Sequence, residues 1–218
     1  PRTSSAASDV YKRQVIAIAE KNNLFHAPET YMEKISTKVN EKGVVDLDYS
    51  TKENIFNLCE YLNKKPQSIT ACIMDRPRHK DIIDELNILG VKIKLITDGD
   101  VSGALLVTDD KYGVDIFLGI GGGPEGVLAS AALDTFECSF QGRFLFHTEE
   151  DKRRANKMGI TNLSKKYELD EIVKGDSIFC ATGITSGDLV SGIMTENNKF
   201  ITETLVTPEV DAQLTDNS

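Results

Sequence analysis

Three stretches of this chain carry groups suited to holding a phosphorylated, hydroxyl-rich ligand. In Asp75-Arg76-Pro77-Arg78-His79 two guanidinium groups flank a proline. The proline stiffens the backbone between them, and each guanidinium can pair in bidentate fashion with a phosphate. On spacing alone, a solvated loop fits these residues equally well. Asp98-Gly99-Asp100 sets two carboxylates on a tight turn, where they could accept hydrogen bonds from sugar hydroxyls or hold a hard cation. Gly119-Ile120-Gly121-Gly122-Gly123-Pro124-Glu125-Gly126 offers bare amides ahead of an expected helix, where dipole and unsatisfied donors favour an anion. Glu125 is the informative residue of that run. A carboxylate there repels a phosphate unless a cation lies between them, although carboxylates that merely complement a helix dipole are as common.

Other readings of the same residues are weaker on context. Continued to Ser102, Gly103 and Asp109, the Asp98 run matches a calcium-loop pattern. An apolar strand precedes it where a helix is required, and Leu106 occupies a polar ligand's place. The glycine run is a poor dinucleotide fingerprint, because Pro124 and Glu125 intrude where a helix should approach a pyrophosphate. Tyr31 could lend its hydroxyl to a ligand, but an aromatic in such a segment is more often half-buried packing. His79 reads as a helix-start residue rather than a catalytic base.

Each of the three stretches follows a short β-branched segment. Residues 69–74, 91–96 and 114–118 read as strands and alternate with helical patterns, the signature of a parallel α/β layer with ligands beyond the carboxyl ends of its strands. Ile82, Ile83, Leu86 and Leu89 recur at helical spacing, with Gly90 as the stop. A short helix is expected to about Val107, and a longer one from Pro124 to about Thr135. Upstream, Ser50 or Thr51 caps a helix carrying Ile55, Leu58, Cys59 and Leu62, and Glu53 completes a capping box. Downstream, a helix over 149–158 is closed by Gly159, residues 177–181 form a strand before the loop 182–187, and 200–206 read as a last strand.

Composition narrows the classes. The chain has 218 residues, 40% hydrophobic and 27% charged, enough for one sizeable core. No run approaches the ~18 consecutive apolar residues of a membrane-spanning helix, so no membrane partner is expected. A formal net charge of −9 sets the overall field against a nucleic-acid backbone, so an anionic ligand needs a local basic site. Cys59, Cys72, Cys138 and Cys180 are widely spaced and lack a CxxC pair. They read as small core residues in a reducing compartment, not as a zinc site or disulfide framework. Residues 1–14 show no apolar period, resemble translated adapter sequence and are set aside from fold reasoning.

Tyr31-Met32-Glu33-Lys34, Pro77-Arg78-His79, Asp98-Gly99-Asp100-Val101, Gly119-Ile120-Gly121-Gly122 with Pro124-Glu125-Gly126-Val127, Ala181-Thr182-Gly183-Ile184-Thr185 with Gly187-Asp188-Leu189, and Thr202-Glu203-Thr204-Leu205 form an ordered set. In order and spacing, over about residues 15–206, it resembles the class II (GlpX-type) fructose-1,6-bisphosphatases. The resemblance implies an α/β, layered sugar-phosphatase fold of the inositol-monophosphatase kind, here its carboxyl-terminal part with a mostly parallel sheet flanked by helices. It implies removal of the 1-phosphate of fructose 1,6-bisphosphate with Mn²⁺ or Mg²⁺. Tyr31, Arg76, Arg78, Asp98, Gly99, Asp100 and Gly122 match substrate-contacting positions, and Glu125 matches a metal ligand. Position 76 is lysine in some relatives, and arginine keeps the charge.

The family's other metal ligands lie upstream, in part on an Asp-Pro-x-Glu-Gly-Thr segment, and no Asp-Pro occurs in this chain. The catalytic groups are therefore expected outside it, and the chain alone is expected to be nearly inactive. The implied organisation is a non-native segment (1–14), a remnant of an amino-terminal metal-binding region (15–66), a substrate-binding α/β domain (67–206) and a divergent tail (207–218). The implied partner is a sugar bisphosphate, fructose 1,6- or sedoheptulose 1,7-bisphosphate, with no nucleic acid, in a cytoplasmic homo-oligomer. A non-catalytic sugar-phosphate-binding protein is the alternative.

Overall fold

The computed structural model describes residues 13–207. The segment set aside as non-native lies outside the described residues up to position 12, and so does the tail from position 208. Strands β1 (Arg13–Ala19) and β2 (Tyr31–Thr37) come first, followed by helix α1 (Thr51–Leu62). The alternating part runs β3 (Thr70–Met74), α2 (Lys80–Leu89), β4 (Lys92–Ile96), α3 (Asp100–Leu105), β5 (Ile116–Gly122), α4 (Gly123–Thr135), β6 (Ser139–Leu145), α5 (Glu149–Lys157) and β7 (Lys166–Glu168). A one-turn helix, α6 (Leu169–Ile172), leads to β8 (Ser177–Gly183), β9 (Met194–Glu196), β10 (Lys199–Ile201) and β11 (Thr204–Thr207).

Local signals hold where they depend on local chemistry. Ser50 accepts from the Glu53 amide while Glu53 reaches back to the Ser50 amide, so α1 starts at the expected capping box. Gly90 (φ 73°) and Gly159 (φ 85°) take the left-handed conformation after α2 and α5, where a residue without Cβ is unstrained.

The central sheet has the order β4-β3-β5-β2-β6-β7. Its pairings correct the expectation of a mostly parallel sheet: β3 is parallel to β4 and β5, whereas β2–β5, β2–β6 and β6–β7 are antiparallel. The sheet is mixed because β2 enters between β5 and β6 against their shared direction. The segment expected as an amino-terminal remnant thus supplies a central strand of the same sheet as residues 67–206. The expected glycine loop at 119–123 is also revised. Gly119 to Gly122 extend β5 and pair with β2, since β2 supplies a ladder partner for each of them.

Two apolar layers cover this sheet. Ile35, Ile55, Leu58, Ile69, Leu86 and Ile116 form a core with α1 and α2 on one face. Met32, Ala104, Leu105, Phe117, Ala131 and Leu133 form the larger core with α3 and α4 on the other. A second sheet, β1-β8-β11, brings Phe179 and Ala181 into that larger core. Its opposite face leaves Ile16, Ile18, Ile178 and Val206 exposed. The single strand expected over 200–206 is divided. Asn197 and Asn198, both at positive φ, turn a small β9–β10 hairpin, and β11 joins β8 instead.

Candidate functional site

Strands β3, β4, β5 and β6 point one way and β2 the other, so four carboxyl ends and the first residue of β2 share one edge of the sheet. Tyr31 sits there opposite both Gly122 and Leu145. Arg76 and Arg78 follow β3, Asp98 and Asp100 follow β4, and Glu125 follows β5. The topology therefore gathers every residue that the sequence nominated.

The arginines sit around a tight turn, Pro77–His79. Arg76 folds back to donate to the Asp75 carbonyl at 2.9 Å. Arg78 donates through Nε to the Ile120 carbonyl at 2.8 Å, and its guanidinium lies over the Tyr31 ring, 5.1 Å from the centroid. That contact uses Nε and not the terminal nitrogens that grip a phosphate. His79 caps α2 as expected and is fully buried. Its Nε2 accepts from the Ile120 amide at 2.8 Å, so the proton resides on Nδ1, which donates to the Met74 carbonyl at 2.7 Å. Burial holds its pKa below the usual value, and the neutral ring clamps the end of β3 to β5.

The two acidic residues differ. Asp98 is half-buried on the loop, and Gly99 turns the chain at φ 95° into α3. Asp100, the first residue of α3, is buried and ion-paired through Oδ2 to Lys34 Nζ. Oδ1 of Asp100 is buried without a hydrogen-bond partner. Burial pushes the Lys34 ammonium down to about 7, the Glu125 charge pulls it up, and Arg78 pushes it down again.

The glycines at the end of β5 have an unexpected use. A Cβ on Gly121 would overlap the Asp100 carboxylate, and one on Gly122 would overlap that of Glu125. The bare backbone thus seats carboxylates, and the Gly123 amide donates to the Thr30 carbonyl at 2.7 Å instead of facing an anion. Glu125 is exposed on the first turn of α4 and lines a cavity of about 630 Å³ with Glu29, Thr30, Tyr31, His147 and Asp151.

Among the described residues, no group of three or more His, Cys, Asp or Glu side chains is placed to hold a metal ion. Glu125 by itself is not a metal centre. Burial pushes Cys72 up to about 12 and Cys138 up to about 11, so these thiols are inert core residues as expected.

Sequence reading missed Lys34 and His147. Lys34 had no apolar signal: only the structure shows that Met32, Lys34 and Ser36 share a buried face of β2. His147 had none, since its approach to Tyr31 (ring centroids 6.1 Å apart) depends on β6 lying beside β2.

The family model for the bacterial, glpX-encoded fructose-1,6-bisphosphatase matches residues 6–214. The chain belongs to this family. It is 38% identical over 205 residues to the D-fructose 1,6-bisphosphatase class 2/sedoheptulose 1,7-bisphosphatase of Synechococcus sp. (strain JA-3-3Ab), covering 88% of this chain and 59% of that protein. It is 36% identical to the protein of the same description from Microcystis aeruginosa (strain NIES-843), with the same coverage. With the one from Prochlorococcus marinus (strain AS9601) it shares 35% over 212 residues, 91% of this chain and 64% of that protein. The chain thus spans about three-fifths of the length of these family members. No helix among the described residues is long and apolar enough to cross a membrane.

Proposed function

We propose that the whole protein hydrolyses the 1-phosphate of fructose 1,6-bisphosphate, giving fructose 6-phosphate and inorganic phosphate, and that this chain supplies the sugar-phosphate-binding half of the site. The observation that carries the reading is the convergence of Tyr31, two arginines, two aspartates, Gly122 and Glu125 on one sheet edge. Arg76 and Arg78 take phosphate oxygens, where planar forks give paired, charge-assisted bonds. Asp98 and Asp100 accept from sugar hydroxyls, and Tyr31 borders the sugar. The relatives are named for two sugar bisphosphates, and we extend the substrate class to sedoheptulose 1,7-bisphosphate.

Mn²⁺ or Mg²⁺ would supply charge neutralisation at the phosphate and an activated water. The donors present do not suffice to hold it, so Glu125 is one ligand of a site completed by the part of the protein that the relatives have and this chain lacks. The exposed isoleucines of the β1-β8-β11 face support a further layer there. With that layer the molecule would take the layered, inositol-monophosphatase-like form, and we place it in the cytoplasm as a homo-oligomer. That no metal-binding group is found among the described residues favours one second reading, a sugar-phosphate-binding protein without turnover.

Phosphate release from fructose 1,6-bisphosphate with Mn²⁺ separates them. It is measured on this chain, on the chain restored to full length, and on the Glu125→Ala variant of each. Activity only in the restored protein, abolished by Glu125→Ala, establishes the hydrolase. A folded, restored protein that releases no phosphate leaves the binding role.

A further inference from the structure

Lys34 is fully buried, 1% exposed, and it lies beneath the site without being among the nominated substrate- or metal-contacting residues. Burying an ammonium is costly unless it is paired and housed. The housing is built. In register, Lys34 stands opposite Gly119 on β5 and Gly142 on β6, so no side chain crowds it from either neighbour. A Cβ on Gly126 of α4 would come 3.1 Å from its Cε. Its stem passes Gly126 and ends on Asp100 Oδ2.

Asp100 is the second half of the observation. One oxygen is committed to Lys34 and the other is buried beside Gly121 with no partner. A buried, unpaired carboxylate oxygen is under-satisfied and calls for a donor. The terminal torsion of a carboxylate is broad, so a small rotation carries Oδ1 toward the sheet edge, and the flexible Lys34 stem follows the accompanying shift of Oδ2. A sugar hydroxyl is a donor of the right kind there: neutral, compact and carried in by the ligand.

We infer that Lys34 is a positioning residue, which anchors Asp100 through Oδ2 so that Oδ1 accepts a hydrogen bond from a hydroxyl of the bound sugar phosphate. This rests on the proposed function and adds a residue to it. A buried ion pair that served stability alone would leave ligand affinity untouched once the protein folds.

The test is calorimetric titration of the full-length protein with fructose 6-phosphate, in the parent and in Lys34→Met, Asp100→Asn and the double variant. Loss of one charge-assisted hydrogen bond weakens affinity at least about tenfold, so each single variant is expected to lose that much. Because Lys34 acts through Asp100, the double variant is expected to bind within about twofold of Asp100→Asn alone. Losses that multiply, or a folded Lys34→Met protein that binds like the parent, overturn the inference. If Lys34→Met fails to fold, a double variant that binds more than about twofold more weakly than Asp100→Asn alone still overturns the inference. A parent that binds no sugar phosphate overturns the proposed function as well.

Discussion

His79 holds Ile120 in place: the Ile120 amide donates to its Nε2 at 2.8 Å, and Nδ1 on the far side of the ring donates to the Met74 carbonyl. One neutral imidazole thereby ties the end of β3 to β5 and fixes the backbone carbonyl that anchors Arg78.

Replacing His79 with alanine leaves the Met74 carbonyl and the Ile120 amide without partners. At about 1–3 kcal/mol for each orphaned buried group, a loss of a few kcal/mol is expected. Urea unfolding of the His79→Ala variant checks it, and an unchanged midpoint would remove the clamp from the account.

The same ring sets a pH dependence. Its folded pKa lies below the ordinary 6.5, chiefly through burial, with the bond to the Met74 carbonyl opposing it and Arg78 and Arg76 lowering it further. Below about 6.5 the unfolded chain takes up a proton that the folded one refuses, so this contribution is complete above that pH and is lost as pH falls toward the folded pKa. Melting temperature is expected to drop on acidification across this window, and the drop to be smaller in His79→Gln.

Two neighbouring glycines should respond differently to alanine. At Gly121 the new methyl meets Asp100, which is buried and ion-paired and cannot step aside. Overpacking of that kind costs about 1–3 kcal/mol, and the proposed sugar-phosphate site is displaced with it. At Gly122 the methyl meets the exposed Glu125, which swings away. Gly122→Ala is expected to keep its melting temperature and lose Mn²⁺-dependent phosphate release in the full-length protein.

The contact of Arg78 with Tyr31 makes the arginine hard to replace. Arg78→Lys keeps the charge but loses the Nε bond to Ile120 and the planar stack. The expected result is an increase of about tenfold in KM for fructose 1,6-bisphosphate, the size of one charge-assisted bond. A KM within twofold of the parent would mean that Arg78 acts as a point charge.

The helix boundaries were legible because caps and glycine stops act within a few residues. The capping box of Ser50 and Glu53 and the left-handed Gly90 are local hydrogen-bond and steric facts. β2 was not read as a central strand, since Glu33 and Lys34 interrupt its apolar pattern, and Lys34 is tolerated inside only because Asp100 meets it. β6 was hidden in the same way by Gln141, Gly142 and Arg143.

By itself the sequence determined the α/β class, the helix limits, the family, and which residue types to nominate for the proposed sugar-phosphate site. Tertiary structure alone decided the sheet order. The antiparallel entry of β2 between β5 and β6 brings Tyr31 to the edge where four other strands end, and it sets Lys34 against Asp100, 66 positions away. Such pairings follow from which strand edges meet once the chain collapses, and a pattern that reports only local burial and local bonding does not carry that choice.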